Sequence, residues 1–484
     1  MTRGQFAYSG LMASLSARAL ASLLSGWRDS STAPAYGALA DRIRLLVLDG
    51  RIPLGTRIPA ERDLAAQLTI SRTTVTAAYG ELREAGYLSS LRGSGSVARL
   101  PARAPVMLDT GNAGYLDFSK AAMPALPGLA DVAARAASEL PAYLGDTGFD
   151  PIGLVELREA IANRYTARGL PTDAEQVMVT IGAQHAIALL ARTLLGRGDS
   201  ALVESPSYPH AYDAIRGAGA RLVLVSVTTD DGWDESALEQ AIQRTSPALG
   251  YLMPDFQNPT GRSMSAELRE RVLGLAARQG TVLIADETMA ELSIDRAESF
   301  APFGAGAPGV VLLGSVGKTV WGGVRIGWIR ADRGIIHKLV RARSAGDLGT
   351  PVLEQLLVKN LLDDFDAVLD VRREQLRAGR EHLVAALRTA FPEWTIPRVH
   401  GGLTLWVNIG HPVSSQLTLT ARGEGLLLAA GPRFGIDGAF ERFLRIPFSY
   451  SADETDRAVA ALSKAWHSLS RIPLGDQNFL AEVV

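Results

Sequence analysis

Hydrophobic and polar positions change rhythm several times along the chain. Near the N-terminus Leu11, Leu15, Leu20, Leu23, Leu24 and Trp27 recur at mostly helical spacing, with Arg18 interrupting them. This predicts an amphipathic helical extension within residues 1–34 that docks on the rest of the protein. Residues 35–100 read as short helices studded with arginine. Residues 101–115 hold two prolines and two glycines without a period, the texture of a linker. From about 116 onward, short apolar runs alternate with amphipathic helical stretches: QVMVTIG, SALVE, RLVLVSV, GYLMP, TVLIADE, VVLLGS and VRIGWIR. Buried runs alternating with helices predict a mostly parallel sheet covered on both faces. The last third begins with a long helical stretch, roughly 351–390. It continues through LTLWVNI, a helix, LLLAAG and FLRIPFSY to a terminal helix near Ser451, the pattern of a smaller α+β domain.

Four segments follow from this rhythm: an extension at 1–34, a helical module at 35–100, a linker at 101–115 and an effector region at 116–484. Within the last, a large lobe is expected at about 145–350 and a small one at about 351–484, joined by some of 116–144.

Composition narrows the class. Hydrophobic residues make up 47% and charged residues 21%, an ordinary globular balance. The net charge of -2 means that any affinity for nucleic acid must come from local charge. With no cysteine, disulfides, thiolate metal sites and a cysteine nucleophile are excluded, and no metal site is expected. A cytoplasmic location is compatible with this. No apolar run approaches the ~18 residues of a membrane span, so no membrane partner is expected.

ERDLAAQLTISRTTVTAAYGELREAGYL has the grammar of a helix-turn-helix. The first helix would bury Leu64, Ala65 and Leu68, with Thr69 and Ile70 in the turn. Ser71 can cap the second helix by accepting backbone N–H bonds. Val75, Ala78, Tyr79 and Leu82 fall on one face at i, i+3, i+4 and i+7. That leaves Arg72, Thr73, Thr74 and Thr76 at the exposed first turns, where a recognition helix meets base edges. Arg72 suits bidentate contact with guanine or a phosphate clamp. After Gly86, the segment through Arg92-Gly93-Ser94-Gly95 reads as a β-hairpin wing. Residues 35–100 carry nine arginines against six carboxylates, a net of +3, so firm binding calls for two modules.

This segment resembles the GntR-family winged helix. The matching residues are Tyr36, Leu39, Ala40, Ile43 and Arg44, then Gly50 to Pro53, Gly55, Pro59, Glu61-Arg62, Leu64-Ala65, Ser71 to Val75, Ala78-Tyr79, Leu82, Gly86 and the Gly-Ser-Gly wing. The resemblance implies a double-stranded DNA operator as partner. It implies Arg62, Ser71, Arg72, Thr73, Thr74, Thr76, Arg92 and Ser94 as the DNA-facing set. One departure is Thr69, where the family usually has glycine; the turn is expected to survive.

A second constellation lies downstream. Ser315-Val316-Gly317-Lys318 ends a strand and is followed by Trp321 to Gly327. A lysine flanked by small residues at a strand end can form an imine with an aldehyde cofactor, and Ser315 and Arg325 can hold a phosphate beside it. The chain has five lysines (Lys120, Lys318, Lys338, Lys359 and Lys464), so few compete for the role. Gly182-Ala183-Gln184 sits where a strand turns into a helix, a natural anion site. Asp286 ends the strand TVLIAD and can pair with a protonated pyridine nitrogen. Asn258, before Pro259-Thr260-Gly261, can donate to a ring hydroxyl, and Tyr208 can stack on a ring face.

In this order the motifs resemble fold-type-I aminotransferases of class I and II, from about 116 to 470. The resemblance implies pyridoxal 5'-phosphate as cofactor and Lys318 as the residue that bonds it. Asp286, Asn258 and Tyr208 would sit around the ring, and Gly182, Ala183, Gln184, Ser315 and Arg325 around the phosphate. Arg445 falls where the family binds the substrate α-carboxylate. Two departures stand out: Met289 and Phe149 occupy places where the family often has tyrosine. The implied architecture is multidomain, a winged helix-turn-helix plus an α/β fold-type-I transferase-like domain with a smaller α+β C-terminal domain. A GntR winged helix joined to an aminotransferase fold resembles the MocR family of regulators. That family implies a homodimer whose large domain senses pyridoxal phosphate, an amino compound or both. The alternative is an active aminotransferase with an appended DNA-binding domain.

Overall fold

The computed structural model describes residues 14–28, 34–48, 51–52, 55–91, 95–99, 115–305, 307–436 and 438–470. Arg92, Ser94 and the linker residues 101–114 lie outside this set. The chain forms two compact units. One comprises residues 1–117, 411–442 and 460–484, the other 118–410 and 443–459. The division cuts across chain order, because 411–442 groups with the N-terminal unit.

In the first unit, helices Ala17–Leu23, Ala35–Leu48, Glu61–Leu68 and Arg72–Glu84 enclose one core, and the strands Leu88–Leu91 and Gly95–Ala98 pair antiparallel beside them. Leu20 and Leu24 from the extension join Leu39, Ile43, Leu64, Val75, Tyr79 and Leu82 in that core. Leu68 is only partly buried against it. Burying such side chains stabilises by roughly 1.5–3 kcal/mol each before entropy is set against it. Polar ties fix the angle between the two helices of the motif. Glu61 accepts from Thr76 Oγ1 at 2.8 Å and from Arg83 at 2.8 Å, and the buried Tyr79 hydroxyl donates to the Pro59 carbonyl at 3.1 Å. In the same unit Leu116–Asp117 pairs parallel with Leu426–Leu427. Helix Ser414–Gly423 meets helix Ala35–Leu48, and Arg42 lies 3.5 Å from Glu441.

The second unit is built on an eight-stranded sheet. From one edge its strands are Val177–Thr180, Gly327–Arg330, Val310–Ser315, Val282–Asp286, Leu249–Leu252, Ser200–Ser205, Arg221–Thr228 and Gly232–Trp233. The pairs from Val310–Ser315 across to Arg221–Thr228 are parallel. Gly327–Arg330 runs antiparallel to both neighbours, as does the edge strand Gly232–Trp233 to its one neighbour. The four strands at the sheet centre are almost continuously apolar and buried, as two-sided coverage requires. The expected helix at 351–390 is two helices, Val352–Leu362 and Phe365–Ala390. The apolar period runs on through the short break at Asp363-Asp364, so periodicity alone did not reveal it.

Thr69 ends the first helix of the motif in the left-handed region, φ 53°, with its N–H on the Ala66 carbonyl at 3.3 Å. A β-branched residue is strained there, whereas glycine is not. Thr69→Gly is expected to stabilise this unit by about 1 kcal/mol. Calorimetry of the full chain would read this as a rise in the midpoint of the transition that contains this unit; a fall would contradict it.

Candidate functional site

The carboxyl ends of the parallel strands carry the site, where α/β sheets leave a crevice for ligands. Tyr208 follows strand Ser200–Ser205, Asn258 follows Leu249–Leu252, Asp286 ends Val282–Asp286, and Lys318 follows Val310–Ser315. Helix Gly182–Leu194 begins directly after Val177–Thr180 at the same end. The topology thus gathers residues separated by more than a hundred positions in sequence.

Gly182 opens its helix at φ 77°. A side chain there would meet the Arg325 guanidinium at 3.1 Å, which places that cation against the helix N-terminus. Arg325 also donates to the Ile181 carbonyl at 3.2 Å. Gly327 passes beneath the turn so closely that a Cβ would stand 2.7 Å from the Gly182 carbonyl carbon. Only glycine allows the strand and the turn to touch. Ser315 Oγ accepts from Gly317 N at 3.0 Å and donates to the Ile326 carbonyl at 2.9 Å, bracing the loop that bears Lys318. Gln184 donates to the His210 carbonyl at 3.3 Å. A helix N-terminus with one guanidinium beside it is a ready anion cup.

Asp286 is buried and ringed by donors. Thr288 gives it an N–H at 3.0 Å and a hydroxyl at 2.6 Å on Oδ1, and Tyr251 donates to Oδ2 at 2.6 Å. Burial, then the Asp286 carboxylate, raise the Tyr251 phenol well above its ordinary range, so it remains a donor. Met289 is buried and brings no hydroxyl. Behind the ring site, Glu204 is fully buried and accepts from Trp233 Nε1 at 2.9 Å, Met253 N at 3.0 Å and Gln257 Nε2 at 3.2 Å. Burial pushes its carboxyl up to about 7 against those donors. Gln257 also donates to Pro206 O at 2.7 Å and accepts from Thr260, joining the loop of Tyr208 to the loop of Asn258.

Lys318 Nζ donates to the Ala121 carbonyl at 2.6 Å. Burial, then the neighbouring Arg445 guanidinium, lower its amine to about 8, with Asp286 opposing. Arg445 is buried in turn, its guanidinium brought down to about 10 by desolvation, and one Nη donates to the Ser119 carbonyl. Tyr208 lies close enough to Arg445 to oppose that shift. The structure therefore brings Lys318, Asp286, Tyr208 and Arg445 into mutual electrostatic contact.

On the winged helix, Arg62, Arg72, Thr73 and Thr76 are exposed, and Thr74 partly so. Ser71 Oγ turns back to cap its own helix at Thr74 N, 3.1 Å, while Thr76 spends its hydroxyl on Glu61. Arg62 and Arg72 are exposed long cations on this face, Arg62 with its Nε 3.4 Å from Asp63 Oδ1. Sequence reasoning missed Tyr251, Thr288, Glu204 and residues 118–121. Glu204 had left a signal, an acid inside the apolar strand SALVES.

Residues 126–462 match the aminotransferase class I and II family, and the chain belongs to it. Residues 35–97 match the gntR family of bacterial regulatory proteins, which identifies the N-terminal module. The chain is 32% identical to a 2-aminoadipate transaminase of Thermus thermophilus, over 59% of this chain and 73% of that one. It is 26% identical to YdfD of Bacillus subtilis, an uncharacterized HTH-type transcriptional regulator, over 87% of this chain and 94% of the relative. Among solved structures, LysN, an α-aminoadipate aminotransferase of Thermus thermophilus complexed with N-(5'-phosphopyridoxyl)-L-leucine, superposes with a TM-score of 0.68. It is 30% identical over 75% of this chain and 94% of that chain.

The residues present fit a phosphorylated pyridoxal. Three polar atoms lining the strand ends, Gln184 Oε1, Ser207 Oγ and Asn258 Oδ1, are buried without a hydrogen-bond partner. Unpaired buried polar atoms are costly unless a ligand completes them. Among the described residues no cluster of acids and histidines suits a metal, and no helix is long and apolar enough to cross a membrane.

An amine lowered to about 8 is far more often neutral, and so nucleophilic, than an exposed lysine. The rate at which ligand-free protein bonds pyridoxal phosphate, followed by absorbance, is therefore expected to rise with pH and level off above about 8. A rate still climbing tenfold per pH unit at pH 10 would show that the reacting lysine is not this one.

Proposed function

We propose that the chain is a DNA-binding transcriptional regulator whose aminotransferase-like domain holds pyridoxal 5'-phosphate and senses it, an amino compound, or both. One observation carries this reading: a gntR-type module and an aminotransferase-type domain stand in a single chain. YdfD, aligned along nearly its whole length, supports it. We assign DNA binding to residues 35–100 and ligand binding to 116–484.

The cofactor, when bound, supplies an aldehyde for an amine and a ring that withdraws electrons. Lys318 provides the amine that anchors it. Asp286 offers a carboxylate to the pyridine nitrogen, oriented by Thr288 and Tyr251. Asn258 faces the ring hydroxyl and Tyr208 a ring face. Gly182, Ala183, Gln184, Ser315 and Arg325 hold the phosphate. Arg445 takes the carboxylate of an amino acid through its planar fork. The buried Met289 thioether brings no hydroxyl to the ring oxygen, which favours binding over turnover. The protein works in the cytoplasm as a homodimer. Leu144, Phe149, Val155 and Leu353 are exposed apolar residues on or near helix Val352–Leu362 and the two helices that pack on it, Leu129–Glu139 and Val155–Ala167. Exposed apolar surface of this kind marks a protein interface.

Borohydride reduction of the loaded protein and peptide mapping are expected to find the pyridoxyl group on Lys318. Recovery on Lys359, or on no lysine, would refute the assignment.

For DNA, affinity is expected to fall with salt as counterions are released. With a duplex selected from random sequences, Arg72→Ala is expected to weaken binding by roughly 1–3 kcal/mol. Unchanged affinity in a gel-shift series would remove Arg72 from the readout.

A further inference from the structure

Residues 118–126 lie beside the candidate site, with a turn at 118–119 and then irregular backbone, without a helix or strand of their own. Successive backbone carbonyls of this segment are taken by three side chains from two distant stretches of chain, 445–450 and the loop of Lys318. Arg445 donates to Ser119 O, Tyr450 Oη to Lys120 O at 3.0 Å, and Lys318 Nζ to Ala121 O at 2.6 Å. The Phe118 ring stacks on Tyr450 with centroids 4.0 Å apart. Farther along, the segment is held by groups outside the ligand site. Arg372, fully buried, donates to Pro124 O at 2.6 Å while also binding the Thr319 and Val320 carbonyls, and Leu126 N donates to Val320 O at 3.1 Å.

We propose that residues 118–121 form a strap that competes with the ligands for Lys318 and Arg445, so that ligand binding releases it. The inference rests on the functional reading of the site as a pyridoxal phosphate and amino-acid pocket. Two of its three carbonyl anchors are the side chains that the cofactor aldehyde and an amino-acid carboxylate require. A carboxylate paired through the fork draws on the same guanidinium donors that hold Ser119. Lys318, once engaged, no longer presents an ammonium to Ala121. The segment then pivots on the anchors at Pro124 and Leu126, which no ligand disturbs.

The strap also sits where release matters. The chain crosses from one compact unit to the other between Asp117 and Phe118. Immediately upstream, Leu116–Asp117 is registered on Leu426–Leu427, in the unit that holds the winged helix. Within that unit helix Ser414–Gly423 touches helix Ala35–Leu48. A two-state element biased by ligand at one end and joined covalently to the DNA-binding unit at the other is a physical route for coupling.

Amide hydrogen exchange on the full-length protein tests this. The probes are N-(5'-phosphopyridoxyl)-L-leucine, which carries a carboxylate, and pyridoxamine phosphate, which carries none. Binding of each is checked by calorimetry. The carboxylate probe is expected to speed exchange of the peptide covering 116–122 at least several-fold beyond pyridoxamine phosphate, with 124–128 unchanged. Tyr450→Phe removes the hydroxyl that holds the Lys120 carbonyl and keeps the ring that stacks on Phe118. In the ligand-free protein it is expected to speed exchange of 116–122 by roughly 2- to 10-fold, the weight of one neutral hydrogen bond. Probes that bind while exchange stays unchanged would overturn the strap and leave the functional reading standing. Failure of both probes to bind would overturn that reading, and the strap with it.

Discussion

Two neighbouring cations, the partly buried Lys318 and the buried Arg445, govern the effector unit. Burial lowers the proton affinity of both Lys318 and Arg445, and the Arg445 guanidinium makes Lys318 more costly to charge. Desolvation of an unpaired ion is among the largest penalties a fold can meet. The structure offsets it in two ways. Asp286 supplies the nearby negative charge, and backbone carbonyls of residues 119 and 121 replace some of the lost hydration. The remainder appears as lowered proton affinity, which makes the lysine a better nucleophile.

That constraint explains the supporting cast. Asp286 must keep its carboxylate aimed, so Thr288 and Tyr251 occupy three of its acceptor positions from two different strand ends. Glu204 has a related role deeper in the sheet, tying the loops of Tyr208 and Asn258 through Gln257. Arg372 is fully buried and has no acidic partner among its hydrogen bonds: it is solvated by the carbonyls of Thr319, Val320 and Pro124 and by Gln375. A guanidinium group here serves as a staple for irregular backbone.

The N-terminal module obeys different rules. Its core is almost wholly apolar, and the polar ties around Glu61 set the angle between the two motif helices without burying an unpaired charge. Arg62 and Arg72 are exposed on the motif, while Ser71 and Thr76 use their hydroxyls within the module.

Much of this was legible in the sequence. Helical and strand periods located the module, the sheet and the terminal helix, since burial on one face or two imposes those periods. Residues with restricted chemistry, Lys318, Asp286 and Asn258, stood out at strand ends, and the family resemblance pointed to Arg445. What periodicity could not show was partnership across the fold. Arg372 lies on the apolar face formed by Val368, Leu369 and Leu376, a visible anomaly, yet its acceptors are carbonyls some 50 and 250 positions away. Backbone carbonyls carry no signature in sequence, so nothing in FSKAAMP announced that three side chains would converge on it. The one-dimensional pattern determined which elements form and which residues can do chemistry. Only tertiary packing decided which distant donor meets which acceptor, because that depends on closing long loops onto a common strand end.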